Sequence, residues 1–258
     1  MSGSTKGPSR PRRRAPQILA PVGVDDGLAV LPRESNHLTA LVDRLAGEVV
    51  LRHSTGRRVL DLGRGSPAVT EWVRSRVDRL TVVDAVDLGR GGTVRVPLPD
   101  ASFDCAYSLR TLPHLGHDAE TSAAALRSAL EELGRLLVPG GVAVLQIDNA
   151  RSPIGLLHGV RRLRQSLGQG PLVVDSPRGA TRFDVLSRVI EALPATLTPV
   201  DLHGVRLVVA SPHLLSIPLV GRVLTRIEWF ARDQPLMRRF AVHLLLVLRR
   251  LTPPRPAQ

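Results

Sequence analysis

The chain has 258 residues, of which 43% are hydrophobic and 22% charged, and its formal net charge is +12. This composition indicates a globular protein with one sizeable core, and the longest apolar runs are far shorter than the roughly 20 residues of a membrane-spanning helix. We therefore predict no membrane span and, because no apolar segment follows the basic start as a secretory signal requires, a cytoplasmic location. The single cysteine, Cys105, excludes an internal disulfide and a multi-cysteine zinc site.

The positive charge is concentrated at the amino terminus. Residues 1–33 are rich in Pro, Gly, Ser and Arg, and the first 20 positions carry five cations and no acid. We expect a disordered basic tail over 1–33. It has two interpretations: the tail binds nucleic acid or anionic lipid, or the arginines reflect residue usage without a partner. We favour the second and expect no specific nucleic-acid partner, because the remaining charge is scattered.

After the tail, helices and strands alternate. Such alternation predicts an α/β fold with a doubly wound, mostly parallel sheet and helices on both faces. Residues 153–193 are predicted to be helical or irregular, with Thr181 and Asp184 as the capping box of a helix over 185–193. Hydrophobic periodicity predicts helices over 38–50, 67–76, 126–137 and 220–232, and strands over 58–62, 80–83, 103–109, 142–147, 200–210 and 240–249.

A glycine turn, Asp61-Leu62-Gly63-Arg64-Gly65, follows the first buried strand. Glycines let the backbone approach a ligand closely, and the next helix begins with free amides, which suits nucleotide-like ligands. Asp84 ends the following strand, where a carboxylate can accept hydrogen bonds from both hydroxyls of a ribose. The alternatives are a tight connection for the turn and a solvated strand end for Asp84.

Two later segments make this pattern specific: Val96-Pro-Leu-Pro-Asp-Ala-Ser-Phe-Asp-Cys-Ala-Tyr-Ser108 and Leu130-Glu-Glu-Leu-Gly-Arg-Leu-Leu-Val-Pro-Gly-Gly-Val-Ala-Val-Leu145. In this order and spacing, the four segments resemble the class I S-adenosylmethionine-dependent methyltransferases of the small-molecule, type 11-like kind. The resemblance covers residues 34 to 147 and extends only loosely to the rest of the chain.

The resemblance implies a Rossmann-like methyltransferase fold with an antiparallel last strand over 241–249 and S-adenosylmethionine lying across the strand ends. Asp84 would hold the ribose hydroxyls, Ser108 would lie beside the sulfonium, and Asp104 would orient its own strand. The catalytic residue is not assigned. The residues that would bind the methionine side belong to the glycine turn: Asp61, Gly63, Arg64 and Gly65. Candidates for substrate contact, each with a surface, capping or turn role as the favoured alternative, are His114, His117, Asp148 and Asn149.

The interval after Asp84 departs from the family. Pro97 lies only 13 positions after Asp84, which is too short an interval for a helix, a strand and their loops. We therefore predict a truncated or missing third strand and no adenine-side acid unless Asp87 replaces it.

Two functions remain open for the methyltransferase-like domain, which we assign to residues 34–258. One is methyl transfer to a small molecule, with helical insertions at 149–193 and 211–239 on the substrate side. The other is a catalytically inactive methyltransferase-like protein that serves as a binding partner or scaffold. The sequence does not determine the oligomeric state.

Overall fold

The computed structural model describes residues 37–84, 93–161, 171–176, 179–209 and 212–252. The predicted tail over 1–33 and Asp87 lie outside these residues. The helices are α1 (His37–Ser54), α2 (Pro67–Arg74), α3 (Ala119–Leu136), α4 (Pro153–Arg161), α5 (Leu186–Glu191), α6 (Pro212–Leu215) and α7 (Pro218–Arg232). The strands are β1 (Arg58–Gly63), β2 (Arg79–Asp84), β3 (Phe103–Ser108), β4 (Leu137–Asn149), β5 (Leu172–Ser176), β6 (Gly179–Asp184), β7 (Leu197–Val205) and β8 (His243–Arg250).

These strands form one mixed sheet. β2, β1, β3 and β4 are neighbours in that order and run parallel. β8 runs antiparallel to β4, and β7 runs antiparallel to β8. The predicted α/β class and its antiparallel last strand are confirmed. Because β7 consequently runs parallel to β4, the carboxyl ends of β1, β2, β3, β4 and β7 all meet at one edge of the sheet, which we call the carboxyl edge.

Helices cover both faces of the sheet, as a central parallel sheet requires. On one face, α3 and α5 pack against alternate strand residues such as Leu60 and Leu145. On the other face, α1, α2 and α7 pack against Val59 and Val144. Leu45 and Leu130, from α1 and α3, are fully buried in these two layers. The strands thus bury apolar side chains on both faces of the sheet. Polar side chains that could bind a ligand are therefore expected at the strand ends.

The described residues between β2 and β3, which are 93–102, have irregular backbone. Residues 93–102 form no strand; instead, Val94 N donates to Ser128 Oγ at 2.9 Å and Val96 N to Glu132 Oε1 at 2.8 Å. Arg135 completes the attachment, because its guanidinium donates to the carbonyls of Val96 (2.9 Å) and Leu98 (2.8 Å). Side chains of α3 therefore bind the backbone groups of this segment that strand pairing would otherwise have bound. This is consistent with the predicted truncated or missing third strand.

The prediction for residues 153–193 was wrong in part. α4 and α5 are helical, but β5 and β6 form an antiparallel hairpin, and β6 joins the end of β4 at Asp148 and Asn149. The predicted capping box is also wrong: Thr181 lies within β6, and the residue before α5 is Val185, without a side-chain cap. Asp184 is bound instead by Arg182, whose Nε lies 2.8 Å from Oδ2. Local pattern missed the hairpin because its pairing partner, the end of β4, is distant in sequence.

Candidate functional site at the carboxyl edge

The glycine turn after β1 is packed against the chain that follows β3. Gly63 has φ +107°, and a Cβ there would lie 2.2 Å from the Thr111 side chain. A Cβ at Gly65 would lie 1.9 Å from the carbonyl oxygen of Leu109. Both positions therefore require glycine, because the backbone of the turn lies against the Thr111 side chain at Gly63 and against the Leu109 carbonyl at Gly65.

Asp61 lies beneath this turn and is 1% exposed. Its Oδ2 accepts hydrogen bonds from Thr70 Oγ1 (2.6 Å) and the Tyr107 hydroxyl (2.8 Å), and its Oδ1 accepts from the amide of Arg64 at 3.3 Å. Burial raises the pKa of the Asp61 carboxyl, whereas these hydrogen bonds oppose the rise. The carboxylate thus ties β1, α2 and β3 together and fixes the shape of the turn.

Arg64 and Asp84 are the exposed charges of the same corner. Gly63 and Asp84 are paired in register at the ends of β1 and β2. The Asp84 side chain is 47% exposed, the Arg64 side chain is 54% exposed, and their charged atoms are 3.8 Å apart. An exposed pair at this distance contributes little to stability. Asp84 therefore presents accessible carboxylate oxygens directly beside the glycine turn.

Ser108 ends β3 and is fully buried. Its hydroxyl donates to the carbonyl oxygen of Leu62 at 2.8 Å, which joins the ends of β1 and β3. Asp104 is at the other end of β3, where its carboxylate accepts hydrogen bonds from the amide and guanidinium of Arg58 at 2.9–3.0 Å. That bond lowers the pKa of Asp104 and, as predicted, Asp104 orients its strand, far from the carboxyl edge.

Three arginines in the left-handed region of φ mark this edge. They are Arg64 (+50°), Arg110 (+53°) and Arg206 (+62°), which follow β1, β3 and β7; Ala101 is the other non-glycine residue with positive φ in the described chain. Such residues cost free energy and persist where the surrounding structure forces them, commonly at functional sites. Their placement supports the carboxyl edge as the functional edge.

Asp43 fastens α1 to the same edge. Its carboxylate accepts a hydrogen bond from Ser66 Oγ at 2.8 Å and pairs with the guanidinium of Arg110. Ser66 is the N-cap of α2 and therefore part of the glycine turn. Sequence reasoning missed Asp43, although an acid on the apolar face of a predicted helix is a signal of a buried partner.

An Asp–His pair lies where β4 ends and β8 begins. Asp148 and His243 are opposite in register, and Asp148 Oδ1 is 2.7 Å from His243 Nδ1. A carboxylate can only accept, so Nδ1 donates this hydrogen bond, and in the neutral imidazole Nε2 is then the nitrogen with the lone pair. The side chains are 11% and 17% exposed. Sequence reasoning named Asp148 but missed His243, since only the strand register brings them together.

Arg206 follows β7 beside this pair. Burial lowers the pKa of its guanidinium, while the charges of Asp148 and Glu228 raise it. Within the described chain, Arg206 Nε is buried without a hydrogen-bond acceptor. The Asp148–His243 end of the edge thus holds a partly desolvated cation next to a potential proton acceptor.

The other substrate-contact candidates are differently placed. Asn149 is 1% exposed; its Oδ1 accepts from the amide of Arg151 at 2.9 Å, which is the turn role, and its amide donates to the carbonyls of Arg239 and Ala241 at 2.8 Å. His114 Nδ1 lies 3.4 Å from the carbonyl oxygen of Ala180, and His117 is exposed. Of the four candidates, Asp148 is the one that the structure pairs with a second titratable side chain at the carboxyl edge.

Comparisons with known proteins agree with this architecture. Residues 60–145 match the family model of the methyltransferase domain. The 27-O-demethylrifamycin SV methyltransferase of Amycolatopsis mediterranei (strain S699) is 30% identical over 174 residues, which are 59% of this chain and 59% of that protein. Residues 60–145, the matched part of the chain, therefore form a methyltransferase domain, as the resemblance of the four segments predicts.

Solved structures of methyltransferases are also similar. The 1,6-didemethyltoxoflavin-N1-methyltransferase of Burkholderia thailandensis, with bound 1,6-didemethyltoxoflavin and S-adenosylhomocysteine, is 16% identical, with 82% of this chain and 79% of that chain covered and a TM-score of 0.47. A Haloferax volcanii putative methyltransferase in complex with the Trm112 activator is 18% identical, with 84% and 90% covered and a TM-score of 0.49.

The matched part of the methyltransferase domain runs from β1 into β4. It contains the glycine turn, Asp84 and Ser108, whereas Asp148, Arg206 and His243 lie beyond it. The two ends of the carboxyl edge therefore differ in how far the family match accounts for them. No helix among the described residues is long and apolar enough to cross a membrane.

Proposed function

We propose that this methyltransferase domain transfers a methyl group from S-adenosylmethionine to a hydroxyl group of a small molecule. The observation that carries the proposal is the register of β1 and β2, which places the glycine turn and the exposed Asp84 side by side at the carboxyl edge. A carboxylate beside a turn of free backbone is suited to the ribose and the adjoining part of a nucleoside.

The residues present fit two parts of this cofactor. Asp84 would accept hydrogen bonds from the ribose hydroxyls, and the turn over Gly63, Arg64 and Gly65 would border the methionine part. We propose that Asp61 and Ser108 contribute by holding this turn, because their side-chain oxygens are buried and bonded within the protein. On the adenine side, the described residues 93–98 offer no acid, so apolar contact is the expected mode there.

His243 is the proposed general base. S-adenosylmethionine would supply a methyl group on a sulfonium. A correctly positioned nucleophile can attack that methyl carbon, and the thioether is the leaving group. A hydroxyl must lose its proton as the new O–CH3 bond forms and the S–CH3 bond breaks, and Nε2 of His243 is the acceptor that we assign. Asp148 is a positioning residue, since it holds Nδ1 protonated and stabilises the imidazolium that results.

The oxygen acceptor and the small-molecule class have independent support. The name of the 30% identical relative, 27-O-demethylrifamycin SV methyltransferase, specifies an oxygen acceptor. This chain spans 59% of that protein, so the macrocyclic substrate itself is not carried over. Segments 149–193 and 211–239 begin at or shortly after the carboxyl ends of β4 and β7, which supports our assignment of both to the substrate side. A cytoplasmic location remains a prediction.

Cofactor binding is tested by calorimetric titration of the full chain with S-adenosylmethionine. Asp84→Ala removes a charged acceptor of two hydrogen bonds, and we expect affinity to fall at least tenfold. Asp78→Ala is the matched control, because Asp78 is an exposed aspartate just before the amino end of β2, and we expect its affinity to equal the wild type. Equal loss in both variants would contradict the assignment of Asp84.

The proton acceptor is tested with labelled S-adenosylmethionine and a panel of phenols, alcohols and amines that includes 27-O-demethylrifamycin SV. For a hydroxyl acceptor, His243→Gln should lower kcat by about 100-fold or more while cofactor affinity is unchanged. His117→Gln, an exposed histidine, is the control and should retain wild-type kcat. Methylation of amines alone, unaffected by His243→Gln, would sink the hydroxyl assignment.

A catalytically inactive binding protein is the second candidate. It is favoured by the irregular segment 93–102, which supplies neither a third strand nor an acid on the adenine side. The same titration separates the two functions, because an inactive protein of this kind does not bind S-adenosylmethionine at millimolar concentration.

A further inference from the structure

The outer face of α7 is apolar, unlike that of an ordinary surface helix. Leu219, Val223, Ile227 and Phe230 recur every three or four residues and therefore share one side of the helix. Their exposed fractions are 73%, 49%, 38% and 65%. Nine of the fourteen large apolar side chains exposed in the described chain lie between residues 214 and 240. We call the four residues on α7 the apolar stripe.

Buried polar contacts fix the rotation of α7, so the stripe cannot turn inward. Glu228, on the opposite side of the helix, is fully buried and accepts hydrogen bonds from the amides of residues 207, 208 and 209 at 2.6–3.0 Å. Arg232, 3% exposed, donates to Glu48 of α1 at 3.0 Å. Turning the stripe toward the carboxyl edge would expose or break these bonds, which argues against a lid that closes over a substrate.

The charges beside the stripe are positive. Arg222 and Arg226 are exposed and lie one turn apart along its border, and Arg239 is exposed nearby in sequence. Of the two acids in residues 212–240, Glu228 is buried and Asp233 is bound by Arg232 at 3.1 Å. The outer face of α7 is therefore an apolar band edged by cations.

We propose that the outer face of α7 binds the surface of a membrane that contains anionic lipids, with the helix lying in the plane of the interface. Apolar residues with flanking arginines on the same helix are what binding to acyl chains and anionic headgroups requires. A second copy of this chain fits less well, since a symmetric contact would bring the Arg222 side chains of both copies to one interface. This proposal does not depend on methyl transfer.

Flotation of the full chain with vesicles tests the proposal. The probes are vesicles of phosphatidylglycerol and phosphatidylcholine in equal parts, compared with pure phosphatidylcholine. We expect binding to the anionic vesicles, at least tenfold weaker for the double variant Val223→Ser/Phe230→Ser, and about fivefold weaker for Arg222→Ser because one cation near an anionic surface is lost. All three side chains are exposed, so the variants should fold.

Matched controls separate the stripe from other surfaces. Leu156→Ser/Leu157→Ser removes two equally exposed apolar side chains on α4, 56% and 52% exposed, and should bind like the wild type. A chain lacking residues 1–20 tests the basic tail, and it should keep the dependence on Phe230.

Three results would overturn the proposal. One is binding by the wild type that the stripe variant does not weaken. Another is loss of binding on tail deletion alone. The third is sedimentation equilibrium showing a dimer that Val223→Ser/Phe230→Ser dissociates, which would make a second copy the partner.

Discussion

The helices α3 and α7 use the same device on their inner sides and differ on their outer sides. Each carries a buried glutamate that accepts backbone amides from an irregular segment: Glu132 from Val96, and Glu228 from residues 207–209. The outer side of α3 is polar, with Arg127 and Glu131 exposed, whereas that of α7 carries the apolar stripe. The anchoring requirement is thus met in both helices, and it does not explain why α7 is apolar toward solvent.

The two anchors also differ in how the charge is compensated. Arg135 Nε donates to Glu132 at 3.0 Å and its guanidinium also binds the irregular segment, so this acid belongs to an ion pair. Within the described chain, the hydrogen bonds to Glu228 come from backbone amides. The stability lost on removing each acid should therefore follow the number and kind of donors that are left without an acceptor.

Removal of the Glu228 carboxylate should have the largest effect. Glu228→Ala leaves three amides without an acceptor in a fully buried site, and we expect a loss of about 4 kcal/mol in the free energy of unfolding, measured with urea. Glu228→Gln keeps the shape and one acceptor oxygen, and should lose about 2 kcal/mol. Equal losses for Ala and Gln would show that the amides do not depend on this side chain.

Removal of the Glu132 carboxylate should have the next largest effect. Glu132→Ala breaks the pair with Arg135 and frees the amide of Val96, and we expect a loss of about 3 kcal/mol. Glu131→Ala is the matched control, since Glu131 is the exposed neighbour on the same helix, and its change should stay within about 0.5 kcal/mol. If the two variants lose the same stability, α3 does not anchor the segment through Glu132.

Asp61 extends the comparison to an acid held by side-chain hydroxyls. Tyr107→Phe removes one donor to Asp61 and leaves the bond from Thr70, so we expect a loss of about 1.5 kcal/mol by urea unfolding. If Tyr107→Phe loses more stability than Glu132→Ala, the loss does not follow the number and kind of donors left without an acceptor.

The pH dependence of stability should distinguish the ion pair. Burial alone would raise the pKa of Glu132, but hydrogen bonds from Arg135 and Val96 bring it below its ordinary value of 4.5. A depressed pKa contributes stability that is present above pH 4.5 and is lost as pH falls through the lower folded value. The difference in unfolding free energy between the wild type and Glu132→Gln should therefore be constant at neutral pH and shrink in acid. A difference that stays the same in acid would contradict this account of the ion pair.

The strands and helices that alternate over residues 37–149 could be predicted because periodicity and glycine turns are local signals. The prediction of a truncated or missing third strand followed from the short interval between Asp84 and Pro97, and the described residues 93–102 form no strand. The hairpin of β5 and β6 could not be predicted, because strands of five and six residues are stabilised by pairing with each other and with the end of β4. The false capping box at Thr181 and Asp184 arose from reading those strand residues as a helix start.

The candidate site divides in the same way. The glycine turn and Asp84 carry a sequence signature because both lie at predictable strand ends. His243 carries no such signature, because its role depends on lying opposite Asp148 in the antiparallel pair of β4 and β8, and the two residues are 95 positions apart in sequence. Asp43 and Arg110 come together only because α1 packs over the carboxyl edge. Pairings of this kind depend on tertiary register, which no local pattern contains.

The attachment of residues 94–100 to α3 also bears on how this chain tolerates changes of length. Glu132 and Arg135 bind backbone atoms of Val96 and Leu98, so the position of this segment is set from its far side. These contacts do not pair the segment with the sheet, so they do not set the number of residues that lie between Asp84 and Thr93. Doubling the length of a flexible connection adds only about 0.6 kcal/mol of closure entropy. Insertions between Asp84 and Thr93 should consequently leave β3 and its neighbours in register.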